Sequence, residues 1–209
     1  MNLIKKAALT LMILSIFILP AGGAGERSVQ SPGFVPGFVP GSVPAGSGMA
    51  ESMAPALHGM VLAMLNREAS AFDPADRELA WESLYNMLSL YGQMDSRAQP
   101  EEGTLTLPGE TVADYSAALG LSLEALGERP ASLADRLRFD RRAGSYTLAC
   151  GSDDLAQLQL FEVRPDGAGF QLTGALVYLV DGSELVRFQA GLQPQDTMFG
   201  CAVTSLHLS

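Results

Sequence analysis

Gly169-Phe170-Gln171-Leu172-Thr173-Gly174-Ala175-Leu176-Val177-Tyr178-Leu179-Val180-Asp181-Gly182 decides the fold class. In an extended chain Phe170, Leu172, Gly174, Leu176, Tyr178 and Val180 fall on one face and Gln171, Thr173, Ala175 and Val177 on the other, after which Asp181-Gly182 turns the chain. The period of two continues on both sides. Upstream, Leu137 and Phe139 pair with Tyr146, Leu148 and Cys150 across a turn at Ala143-Gly144, and a run from Ala156 to Val163 ends at Arg164-Pro165-Asp166-Gly167. Downstream, Val186, Phe188 and Ala190 alternate with Leu185, Arg187 and Gln189, and a last strand runs from Met198 to about Leu208 after a loop at Gln193-Pro194. The C-terminal part therefore reads as an antiparallel meander of five or six strands.

Before Pro130 the period is helical. Met53, Leu57, Met60, Val61 and Met64 stripe one face of a helix from Ser52 to near Phe72. Asp73 and Pro74 read as the N-cap and first residue of a second helix, in which Leu84, Leu88 and Tyr91 follow Trp81 until Gly92. Arg97 to Gly109 is polar and turn-rich, Glu110 to Leu119 makes a shorter helix, and Leu121 to Leu126 adds a turn. Helices first and an antiparallel meander afterwards specify an α+β domain over 49–209, mainly helical over 49–128 and mainly strand over 131–209, with the helical hairpin and short third helix covering one sheet face. Cystatin-like and NTF2-like cones are layered in a similar way, which is an analogy of fold that no residue motif of this chain carries.

The start of the chain speaks of export. Lys5 and Lys6 precede an apolar run from Ala7 to Leu19, shorter than the ~20 residues a membrane-spanning helix needs, and Pro20 and the small residues Ala21-Gly22-Gly23-Ala24 follow. This pattern is that of a signal peptide over 1–24, cut after Ala24. Residues 25–48 contain Pro-Gly-Phe-Val-Pro-Gly-Phe-Val-Pro-Gly-Ser-Val from Pro32 to Val43, whose recurrent proline and glycine cannot build a core. They read as a disordered tether.

Composition narrows the chemistry. The precursor has 13 basic and 23 acidic side chains, and removing the signal with its two lysines leaves 11 against 23, a net charge of −12. Such a chain repels nucleic acid and anionic membrane surfaces. Lys5 and Lys6 are its only lysines, which excludes Schiff-base enzymes and P-loop NTPases from the exported form.

Cys150 and Cys201 are the only cysteines, and an even count in an exported chain invites a disulfide. In a simple meander the two would lie at opposite ends of the sheet, so paired cysteines and two buried thiols are both consistent with the sequence. His58 and His207 are the only histidines. Cys201 and His207 are roughly 20 Å apart along one strand, too far to share a metal ion, and His58 has no histidine or carboxylate at 61, 62 or 65. Neither histidine is expected to belong to an assembled site. The acid pairs Asp153 with Asp154 and Asp135 with Asp140 read as solvated turn residues, Trp81, Tyr85, Met53, Met60 and Met64 as core, and Gly167-Ala168-Gly169 as a hairpin turn rather than a phosphate cradle.

The sequence thus assigns no catalytic, cofactor-binding or metal-binding residue. Its expectation is a non-catalytic binding or interaction module displayed outside the cytoplasm, secreted or at the cell surface. The partner would be a protein or small-molecule ligand, with neither nucleic acid nor a membrane span after cleavage. The alternative is a secreted hydrolase that uses two carboxylates in a cavity between helices and sheet.

Overall fold

The computed structural model describes residues 47–209, so the segment read as a signal peptide and all but the last two residues of the one read as a tether lie outside the described residues. Within them the chain is α+β. The first expected helix is preceded by a separate short one that begins in the last residues read as tether. α1 (Ser47–Ser52) stops at Met53 and α2 (Ala54–Asn66) begins afresh, with Pro55 in its first turn. Proline has no N–H to donate and clashes with the preceding turn, so it is tolerated at a helix start and not within one. α2 ends six residues before Phe72, and Glu68 follows in a left-handed conformation (φ 56°).

α3 (Arg77–Tyr91) begins later than the Asp73-Pro74 signal implied. Asp73 accepts from the Ala75 N–H at 2.8 Å in a local turn, and Asp76 is the true cap, accepting from the Leu79 N–H at 3.0 Å. At the other end the chain passes through Gly92 into a 3-10 turn, Gly92–Met94. α2 and α3 are antiparallel, since His58 meets Tyr91 and Asn66 meets Glu82. Met53, Leu57, Met60, Met64, Leu84 and Leu88 are fully buried, and Trp81 is 2% exposed. The Trp81 indole donates to the Leu126 carbonyl at 3.3 Å, so its polar contact is with the chain beyond α3 and not with the C-terminal sheet.

The single meander is replaced by two four-stranded antiparallel sheets. β1 (Gln99–Glu101), β2 (Thr104–Pro108), β3 (Leu137–Asp140) and β4 (Ser145–Ala149) form one, in the order β1-β2-β4-β3, with α4 (Gly109–Ala118) and α5 (Leu123–Leu126) between β2 and β3. β1 and β2 occupy the segment expected to be a polar loop. Its signal was short, because only Leu105 and Leu107 alternate inward, and these two are fully buried opposite Leu148 and Tyr146. The hairpin at Ala143-Gly144 belongs to this first sheet.

β5 (Ala156–Asp166), β6 (Gly169–Tyr178), β7 (Glu184–Pro194) and β8 (Cys201–Leu208) pair in sequence order. Leu172, Leu176, Phe188, Ala190 and Leu192 supply its buried face as the alternation required. Ala175 is buried on the other face too, between its cross-strand neighbours Gln159 and Arg187, whose guanidinium lies 5.9 Å from the Phe161 ring. The two outer edges differ. Along β8, Phe72 donates to the Leu206 carbonyl and Leu208 to the Ser70 carbonyl, at 2.9 and 2.8 Å, so the link between α2 and α3 closes that edge. β5 carries a bulge at Phe161 and has Pro165 near its end, both of which discourage further pairing.

Candidate functional site

α2 is apolar almost throughout, and every residue from Ala56 to Met64 is buried. A helix enclosed on all sides must enclose its one histidine as well. Gly59 lets α3 come close, because a Cβ there would stand 2.8 Å from the Met87 nitrogen and the Ser83 carbonyl oxygen. The Asn86 side chain donates across this contact to the Gly59 carbonyl at 3.3 Å. His58 is thereby brought to the last residue of α3, with Nδ1 2.6 Å from the Tyr91 hydroxyl.

A second close approach brings the carboxylate. After β4, Gly151 donates to the Ser89 carbonyl at 3.0 Å, and a Cβ on Gly151 would lie 2.7 Å from the Ser89 hydroxyl. That hydroxyl donates to the Ala149 carbonyl at 2.8 Å. The loop so pinned carries Asp153, whose Oδ2 lies 3.1 Å from His58 Nε2 across a separation of 95 residues. Its Oδ1 accepts from the Ala156 and Leu155 N–H groups at 2.9 and 3.2 Å. Both carboxylate oxygens are therefore used.

The expectation that His58 lacks a partner is corrected: Asp153, His58 and Tyr91 form a hydrogen-bonded chain in which the imidazole is 4% and the carboxylate 12% exposed. Sequence neighbours at helical spacing could not reveal it, since both partners come from elsewhere. The one available signal was a lone histidine inside an apolar helix, which burial obliges to find partners.

The proton positions follow from the groups present. A carboxylate only accepts, so His58 Nε2 donates to Asp153. Burial, with the Asp153 charge adding to it, pushes the Tyr91 phenol up to about 12. Tyr91 thus keeps its proton, and its hydroxyl shares a 2.6 Å hydrogen bond with Nδ1 of the ring. Burial pushes the Asp153 carboxyl up, but His58 and the two backbone N–H groups outweigh it and hold the carboxyl below the ordinary value.

Acid, imidazole and hydroxyl in line are the parts of a nucleophilic triad. Here the terminal hydroxyl belongs to a phenol whose ionisation burial opposes, and its hydrogen bond secures one helix to another. The acid pairs do not assemble either. Asp153 is engaged by His58, Asp154 is exposed and accepts from the Ser152 hydroxyl at 3.3 Å, and Asp140 accepts from the Arg142 and Ala143 N–H groups of its turn.

Cys150 follows β4 in the first sheet, and Cys201, fully buried, opens β8 in the second. Both are free thiols, so the disulfide invited by the even count is not formed. His207 is exposed on β8, opposite Ala71. Among the described residues no group of three or more His, Cys, Asp or Glu side chains could hold a metal ion, and no helix is long and apolar enough to cross a membrane. Compared with known proteins, the chain matches no family model, no curated protein and no solved structure.

Proposed function

We propose that this protein is an exported, non-catalytic binding or interaction module, held away from its point of attachment by the Pro-Gly segment. The observation that supports this reading is the state of the Asp153–His58–Tyr91 chain. The residue types best suited to acid, base and nucleophile work are engaged with one another, His58 buried and Asp153 and Tyr91 partly so, joining α2, α3 and the loop before β5. A group occupied in this way holds the fold and presents nothing to a substrate.

The test is a turnover survey. The mature protein, with Asp153→Asn and Tyr91→Phe variants, is assayed against chromogenic esters, glycosides and peptides. No turnover above the uncatalysed rate is expected from any form. Hydrolysis by the parent that drops about a hundredfold or more in a variant of unchanged circular dichroism would overturn the module reading. Export is tested separately by mass spectrometry of the native protein, which should begin near Gly25. Recovery of an intact Met1 in the membrane fraction would mean that the first segment is an anchor.

A further inference from the structure

At the start of α3 the chain forms an open recess of about 500 Å³ between that helix and the segment after α5. Its walls combine the small apolar surfaces of Ala75, Pro130 and Ala131 with the side chains of Arg77, Glu78, Glu128 and Arg129. The charges are not equally occupied. Glu78 is engaged by Arg67 at 2.8 Å. Arg129 donates through Nη1 to the Leu137 carbonyl, while its buried Nε–H has no acceptor. The guanidinium of Arg77 packs beside Gly127, within 3.9 Å of where a Cβ would stand.

We propose that this recess binds a small organic monocarboxylate with an apolar body. Nη1 is taken by the Leu137 carbonyl and Nε lies inside the surrounding chain, so Nη2–H is the donor that Arg129 offers to a carboxylate oxygen in the recess. Arg77 supplies the second positive charge from the facing helix. Pro130, Ala75 and Ala131 receive the apolar body. Glu78 and Glu128 disfavour a dianion, which sets a carboxylate above a phosphate.

This inference deepens the binding-module reading and rests on it. Its test is titration of the mature protein with benzoate, benzamide and inorganic phosphate at pH 7, followed by calorimetry and amide chemical shifts. Benzoate should bind saturably and shift residues 75–78 and 127–131, with benzamide and phosphate at least about tenfold weaker. Arg77→Gln and Arg129→Gln should each weaken benzoate about tenfold, and Glu128→Gln should tighten it a few-fold. Arg77 is exposed and makes no main-chain contact of the Arg129 kind, so its variant stays informative if Arg129→Gln fails to fold. Absence of saturable benzoate binding, or binding indifferent to Arg77→Gln, overturns the site and leaves the module reading standing. Phosphate binding as tight as benzoate overturns the carboxylate assignment. Chemical conversion of a bound carboxylate, lost in the arginine variants, overturns the module reading and upholds the site.

Discussion

The two ends of α3 handle charge in opposite ways. At its C-terminal end, Tyr91 closes a chain through His58 to Asp153 in which each polar group has a partner and little of the imidazole or carboxylate reaches solvent. At its N-terminal end, Arg77, Glu78, Glu128 and Arg129 surround an open recess in which one pairing is external and one buried donor has no acceptor. Similar residue types thus do different work according to satisfaction and solvent access. Titratable residues that satisfy one another out of water stabilise a fold, and those left with unused capacity at a surface are the ones a ligand can reach.

The contrast breaks most severely if the enclosed end is emptied. His58→Ala leaves the partly buried Asp153 carboxylate and Tyr91 hydroxyl with one partner fewer each, and should cost about 3 to 5 kcal/mol, with chemical denaturation as the measurement. A loss below about 1 kcal/mol would show that water takes the place of the ring and that the chain is not structurally important. Gly59→Ala acts on the same end by geometry. Its methyl meets backbone atoms of α3, which cannot yield as a flexible side chain does, so about 1 to 3 kcal/mol should be lost although no polar group changes. Unaltered stability would mean that the helices slide apart freely.

A pH titration sharpens the comparison with a smaller effect. The Asp153 carboxyl is held lower in the folded chain than its ordinary value of 3.8, so its contribution is complete above that value and is lost as pH falls through the folded value. The melting temperature should therefore fall on acidification below about pH 4, and less steeply in Asp153→Asn. Asp95, held down by its hydrogen bonds from Arg97, contributes in the same direction and remains in the variant as an internal control. Identical acid slopes in parent and variant would remove Asp153 from the account. The smallest effect belongs to the open end. Glu78 is 51% exposed beside Arg67, and Glu78→Gln should change stability by no more than about 0.5 kcal/mol. A larger loss would place the recess among the structural parts of the molecule.

What could be read in the sequence depended on how many residues repeated a pattern. β6 offered ten residues of alternation and tight turns on either side, and Leu172, Gly174 and Leu176 came out buried as written, whereas Val180 lies past the strand and is exposed and Ala175 and Val177 are buried on the other face. The α2–α3 hairpin was equally plain in its apolar stripe, but its boundaries moved because Pro55 reset one helix and Asp76, not Asp73, capped the other. β1 and β2 carried too few apolar residues to stand out from a loop, and with them went the division into two sheets. The Asp153–His58–Tyr91 chain had no periodic signature at all. It depends on two glycine contacts, at Gly59 and Gly151, that set the distance between segments far apart in sequence. Residues 153 and 154 looked like a solvated acidic turn, which half of the pair is.

The strand-like seam between Ser70–Phe72 and Leu206–Leu208 has a consequence for the order in which the protein can be assembled. Its two sides are separated by most of the described chain, so the link between the helices finds its partner only after nearly all the intervening sequence has been made. Until then the helical pair keeps exposed backbone groups that β8 will later occupy, and the entropic cost of closing so long a loop delays the final docking. A polypeptide built this way stays open late, with its last strand as the piece that closes it.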